Sequence, residues 1–184
     1  MLTNNQIDSI RDWAQSGAVR AEATLRENHT PDSGLEIREL RCTPLCELPE
    51  RVQCFDGESI AGVVARFDGP LSGSVLFAME PADALTWVSA KPDCDAPIDA
   101  FLGLASEIQS RLVVAIGEGL GVAIELEPAD LREDSVPGIL FGTHAPSDTA
   151  ILCFGALVAA GDHLLPLYIY VMLDPKSLGC ALSH

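Results

Sequence analysis

The sequence predicts an α+β fold in which long helices pack on a mostly antiparallel sheet, built from two pseudo-repeats. Three observations carry this. Residues 5–27 and 98–117 repeat apolar side chains at helical spacing. Each of these stretches is followed by strand-like runs that fold back through turn residues. The order helix, strand, hairpin, short helix is then used a second time. At 184 residues the chain fits a single domain, with pseudo-repeat 1 at about 5–90 and pseudo-repeat 2 at about 97–180.

In the first helix Ile10, Trp13, Ala14, Gly17, Ala18, Ala21 and Leu25 recur at helical spacing. The run from His29 to Gly34, with Pro31, Asp32 and Ser33, ends it. Residues 35–42 read as a strand and 43–57, with two prolines, as a loop. Residues 59–67 and 73–80 flank Asp68-Gly69-Pro70 and read as an antiparallel hairpin. Pro81 opens a short helix over 81–88, followed by a polar linker over 91–97. Gly117, Gly119 and Gly121 end the second long helix. Beyond it, 122–127 reads as a strand and 128–137 as an acidic, solvated loop. Residues 138–144, 150–160 and 165–173 read as strands, with turns at 146–148 and 161–163, and a short helix starts at Pro175. Residue echoes support the repeat: Arg66 to Pro81 parallels Val158 to Pro175, each with a glycine turn, an apolar strand ending on Met, and a proline.

Composition excludes several functions. There are 27 acidic residues against 11 basic ones, a net charge of −16. An electrostatic nucleic-acid binder needs a basic stripe to displace counterions, and an anionic membrane surface needs the same. The N-terminus lacks the basic start and apolar run of a secretory signal. The longest apolar run, 150–161, is far short of the ~20 residues that cross a bilayer. A cytoplasmic protein is expected.

The six cysteines form no C-x-x-C pair, and no histidine lies near the Cys42, Cys46, Cys54 group in sequence. No metal site and reduced, packed thiols are therefore expected. The acids Glu125, Glu127, Asp130, Glu133 and Asp134 lack the spacing of a calcium loop. No phosphate-cradling glycine loop or nucleophile elbow occurs.

Chemistry concentrates on the long helices. In Asp12-Trp13-Ala14-Gln15 a carboxylate and a carboxamide lie three residues apart, on one helix face. With Ile10 at 0°, Gln15, Val19 and Asp12 fall at about 140°, 180° and 200°, opposite the apolar face. The second helix carries Glu107-Ile108-Gln109-Ser110. With Leu104 at 0°, Ser110, Val114 and Glu107 fall at about 240°, 280° and 300°, away from an apolar group near 40°. Gln109 falls at about 140° and cannot share Glu107's face. Arg111 is placed to pair with Glu107 at i,i+4. Val19 and Val114 flank the two pairs as exposed apolar residues and are candidate partner contacts.

This pattern of long helix, hairpin and short helix, with an acid-x-x-polar pair on each long helix, resembles the CheC/CheX family of chemotaxis proteins. Members dephosphorylate the response regulator CheY through a helical Glu-x-x-Asn signature. The resemblance implies a CheC-like fold that binds a phosphorylated CheY-like response regulator and hydrolyses its aspartyl phosphate. In that role Gln15 orients water and Asp12 pairs with a partner lysine. No cofactor is expected in this chain, because the Mg²⁺ belongs to the response regulator. Asp for Glu and Gln for Asn in the first helix, and Ser110 for Asn in the second, depart from the signature. The second site is thus expected to be inactive. A non-catalytic CheC-like scaffold in chemotaxis or flagellar switching, with a CheD-like partner, is the alternative, and an unrelated αβ protein the second. A homodimer stays open. So does the correspondence between the helices: pairing Ile7-Asp8 with Ile98-Asp99 spaces them by 91, and pairing Asp12 with Glu107 by 95.

Overall fold

The structure is a computed structural model and describes residues 3–44, 59–90, 95–142 and 149–181. Helix α1 (Asn4–Asn28) begins with a capping box. The Thr3 hydroxyl accepts from Gln6 N at 3.3 Å, and Gln6 Oε1 accepts from Thr3 N at 2.8 Å. Strands β1 (Leu35–Pro44), β2 (Ile60–Asp68) and β3 (Gly73–Met79) follow. Next come α2 (Pro81–Ser89) and the second long helix, α3 (Pro97–Gly119). The chain continues through β4 (Glu125–Leu126), β5 (Asp130–Asp134) and α4 (Val136–Gly142). It closes with β6 (Ala150–Ala160), β7 (His163–Leu173) and α5 (Pro175–Ala181).

All the described strands join one antiparallel sheet, ordered β1-β6-β7-β3-β2-β4, with β5 also pairing β2. The order mirrors itself about the β7–β3 junction. On each side a hairpin strand lies inside, its hairpin mate comes next, and a strand from the other half of the chain forms the edge. The main core lies between the sheet and the long helices, with Ile10, Ala14, Ala18, Ala21 and Leu25 of α1 against Phe77, Phe154 and Ile169 of the strands. A second cluster on the opposite face packs Val136, Ile139 and Leu140 of α4 on Ile60, Leu76 and Tyr170.

The long helices pair antiparallel: Trp13 of α1 meets Gly119 of α3, while Asn28 lies beside Asp99 and Ala100. They touch at Gly17. A Cβ there would stand 2.7 Å from the Arg111 carbonyl oxygen and 2.8 Å from Leu112 Cα, so only glycine admits this approach. Gly17 and Leu112 are 95 positions apart (112 − 17), the spacing that separates Asp12 from Glu107. Arg20 and Glu118 add an ion pair of 2.7 Å across the helices.

Helix α3 is long and apolar enough to cross a bilayer, but half of that stretch is buried within the protein. Its buried side reaches farther round than the sequence pattern implies. Gln109 is fully buried among Ile108, Leu112, Val113 and Ile116. Its Nε2 donates to the Val63 carbonyl at 2.6 Å and the Val75 carbonyl at 3.2 Å, tying α3 to the β2–β3 hairpin. At the far end of the core, Trp87 stacks on Phe77 at 5.8 Å and meets the edge of Phe101 at 6.2 Å. Buried His29 donates from Nε2 to the Trp87 carbonyl at 3.0 Å, and its Nδ1 lies 3.2 Å from Ser33 Oγ. This histidine joins the end of α1 to the last turn of α2.

Three sequence expectations are corrected. Residues 128–137 are not one acidic loop: β5 pairs with β2, from Asp130 against Val64 to Asp134 against Ile60. An edge strand needs few inward apolar groups, and here Leu131 packs on the core while Asp130, Arg132, Glu133 and Asp134 stay in water. Residues 138–142 are helical, not a strand. Ser135 caps that helix, its Oγ accepting from Gly138 N at 3.2 Å, and Pro137 fits the first turn. A short apolar run cannot separate strand from helix, and here the cap decides. The strand expected over 122–127 shrinks to Glu125–Leu126, because Gly121 turns at φ 72° and Val122 N bonds the Gly117 carbonyl to close α3. Residues 45–57 of the expected loop, the linker residues 91–94, and 143–148 with the 146–148 turn lie outside the described residues.

Three substitutions test this packing in urea denaturation. Gly17→Val drives a side chain into the α3 backbone and is expected to cost about 1–3 kcal/mol. Gly103→Ala, at a helical site with nothing within 4 Å of its Cβ, is expected to stabilise by about 0.5–1 kcal/mol. Gln109→Leu removes both sheet contacts and is expected to cost about 1–3 kcal/mol; no loss would show that the buried amide holds nothing.

Candidate functional site

Capping by Thr3 sets the phase of α1, and the glycine contact at Gly17 sets its rotation against α3. Ile10, Ala14, Ala18, Ala21 and Leu25 then face the core. This leaves Asp12 and Gln15 exposed together on the other side, with Val19 at 59% exposure one turn on. Among the described residues neither the Asp12 carboxylate nor the Gln15 amide has a side-chain partner. Trp13, between them in sequence, is half-buried against Gly119, where a Cβ would lie 2.1 Å from its ring. The backbone carrying the pair is therefore anchored within it, at Trp13, and just beyond it, at Gly17.

The pair on α3 differs. Glu107 and Ser110 are half-buried. Glu107 Oε1 accepts from Arg111 Nε at 2.7 Å, the i,i+4 pair that the spacing implies. Val114 is half-buried instead of exposed, because α3 packs along α1 as well as on the sheet and so shields more of its circumference. The structure thus presents one open acid–amide pair and one whose acid is engaged and whose second member is a short hydroxyl.

A carboxamide held at a fixed point can align a water for attack, offering an acceptor and two donors without repelling an anion. A neighbouring carboxylate can receive a cation from a partner. The arrangement suits work on an anionic centre brought by another molecule, since both groups stand on a convex helix surface and not in a cleft.

Other titratable groups are placed elsewhere. Cys42 on β1 is half-buried against the core, and burial raises its thiol pKa above the ordinary value. Cys46 and Cys54 lie outside the described residues. Among the described residues no group of three or more His, Cys, Asp or Glu side chains is placed to hold a metal. The residue that sequence reasoning set aside is Gln109: its angle excludes it only from Glu107's face, and the structure makes it the polar tie between α3 and the sheet. The signal was present in its apolar neighbours Ile108, Leu112, Val113 and Ile116, which widen the buried arc.

No protein-family model and no curated protein sequence matches this chain. Solved structures do. FliY from Thermotoga maritima is 12% identical over 100% of this chain and 98% of its own, with a TM-score of 0.67. A chain of the FliG–FliM complex from H. pylori is 10% identical over 100% of both, with a TM-score of 0.67. A chain of the CheX–CheY–BeF3–Mg²⁺ complex from Borrelia burgdorferi is 13% identical over 91% of this chain and 97% of its own, with a TM-score of 0.51. The chain therefore has the α+β fold of the CheC/CheX/FliM type, and at these identities the likeness is one of fold.

Proposed function

We propose that this protein is a signalling module of chemotaxis or flagellar-switch type that binds a phosphorylated CheY-like response regulator through the outer face of α1. The observation that carries the reading is the exposed, unpartnered Asp12–Gln15 pair, on a fold shared with a chain of a CheX–CheY complex. In this reading α1 enters the regulator's phosphorylation site. Asp12 pairs with a lysine there, and Gln15 holds a water in line with the phosphorus. The water oxygen bonds to phosphorus as the bond from phosphorus to the aspartate oxygen breaks. The carboxylate leaves, and inorganic phosphate takes up the attacking water. Charge on the phosphoryl oxygens is balanced by Mg²⁺ in the regulator. The shorter Asp12 brings its helix closer to the partner, and the longer Gln15 loses more rotamer freedom on docking than an asparagine.

The second helix favours a second reading, a binding module without catalysis. Arg111 occupies Glu107, and Ser110 cannot span a water and an acceptor as an amide does. In that role the same face holds the regulator, a CheD-like protein or another switch component without speeding hydrolysis.

Phosphate release from a phosphorylated CheY-type regulator of the same genome separates the two. Under the first reading the protein accelerates release, and Gln15→Ala cuts the acceleration by about 100-fold with little change in binding. Binding without acceleration leaves only the second reading. Full acceleration in Gln15→Ala would remove Gln15 from the chemistry.

A further inference from the structure

The turn of α1 that carries Asp12 and Gln15 also carries a cation. With Ile10 at 0°, Arg11 falls at about 100° and Asp8 at about 160°, so both share the outer face with Gln15 at about 140°. Both are exposed. Arg11 Nη1 donates to Asp8 Oδ1 at 2.9 Å, and among the described residues its Nη2 and Nε have no partner. Arg11 and Gln15 stand four residues apart, the spacing at which helical neighbours meet. Side chains on a helix lean toward its N-terminus, so the Gln15 amide lies over the turn that bears Arg11 and Asp12. The amide is thus flanked by a carboxylate on one side and a guanidinium on the other. The other two cations of α1 are engaged elsewhere. Arg20 is bound to Glu118 of α3. Arg26 is paired with Glu22 and lies eleven residues beyond Gln15 (26 − 15), about 17 Å along the helix.

We propose that Arg11 reads the phosphoryl group of the docked regulator, its free guanidinium edge donating to a phosphoryl oxygen, so that this face selects the phosphorylated over the unphosphorylated form. The inference rests on the reading of α1 in the preceding section, catalytic or not, and adds how the state of the partner is recognised. Charge makes a local cation necessary. The chain carries −16, and Asp8 and Asp12 both stand on the docking face. An anionic group brought to that face meets repulsion unless a donor beside it carries positive charge. A guanidinium suits the task. It stays charged at any working pH, and its planar fork keeps one nitrogen on a carboxylate while others meet a phosphate oxygen. An exposed ion pair within one helix is weak, so Arg11 adjusts to the partner at little cost. Gln15 places the water, and Arg11 answers the charge that marks the regulator as phosphorylated.

The probe is the Mg²⁺-loaded CheY-type regulator of the same genome, with and without BeF3 as phosphoryl mimic. Its binding to wild type, Arg11→Gln and Arg11→Lys is titrated by NMR, which reads weak as well as tight affinities. Wild type is expected to prefer the BeF3 form. Arg11→Gln is expected to weaken binding of the BeF3 form about tenfold and to leave the BeF3-free form unchanged, with a shallower salt dependence of the preference. Arg11→Lys is expected to regain part of the preference, because the charge returns without the fork. The side chain is exposed, so the thermal midpoint of either variant is expected to stay at the wild-type value. An undiminished preference in Arg11→Gln overturns the assignment while the α1 reading stands. An equal loss for both forms also overturns it, since Arg11 then touches the regulator away from its phosphoryl group. If wild type binds neither form, or binds both alike, the α1 reading falls as well.

Discussion

The contact of Gly17 with the backbone of α3 at Arg111 and Leu112 is the constraint on which the helix layer depends. It fixes the distance between two long helices to what a missing Cβ allows, and it does so near the middle of each. Every other feature of that layer takes its phase from this point. The apolar stripe of α1 turns onto the sheet, Trp13 comes down on Gly119, and Arg20 reaches Glu118. Asp12 and Gln15 are left on the far side as a consequence of geometry. A partner-facing surface is thus produced by how tightly the helices pack. Gln109 performs the matching task for α3, since its amide is bonded to two neighbouring strands and resists rotation of the helix about its own axis.

The sheet carries this layer because it is shared. Strand β1 from the first half lies on β6 of the second, and β4 and β5 from the second lie on β2 of the first. Neither half has a complete sheet of its own. The centre, where β3 meets β7 through Val75 against Val171 and Phe77 against Ile169, is the most apolar part and lies under the helix pair. The edges are charged: Glu36 with Arg38, Glu39 with Arg41, and Asp130 with Arg132 form ion pairs along their own strands. Such pairs contribute little energy, but they keep the edges hydrated.

Much of this was legible in the residues. The two long helices declared themselves through spacing, and the hairpins through Asp68-Gly69-Pro70 and Gly161-Asp162-His163. The regions that misled share one cause, a local signal overridden by what lies across the fold. Asp130 to Asp134 looks like a loop until β2 offers it a ladder. Ile139 and Leu140 look like a strand until Ser135 and Pro137 are weighed as a helix start. Gln109 shows in sequence only that it leaves Glu107's face, because a polar side chain on a helix gives no sign of the two carbonyls above it. The open pair, Asp12 and Gln15, was visible because exposure on a long amphipathic helix follows from periodicity alone.

The borrowed edge strand has a consequence for synthesis of the chain. Leu35 pairs with Val158, 123 residues later (158 − 35). At roughly 5–20 residues per second, β1 leaves the ribosome about 6–25 seconds before its partner exists. Contacts this distant in sequence also make for slow folding. Through that interval Leu35, Ile37 and Leu40 are unshielded, on a strand able to pair with any other nascent chain. The charges at Glu36, Arg38, Glu39 and Arg41 then serve as gatekeepers in a crowded polysome, before any ion pair of the finished sheet has formed. The same interleaving means that a nascent first half is a waiting intermediate, which the second half must complete.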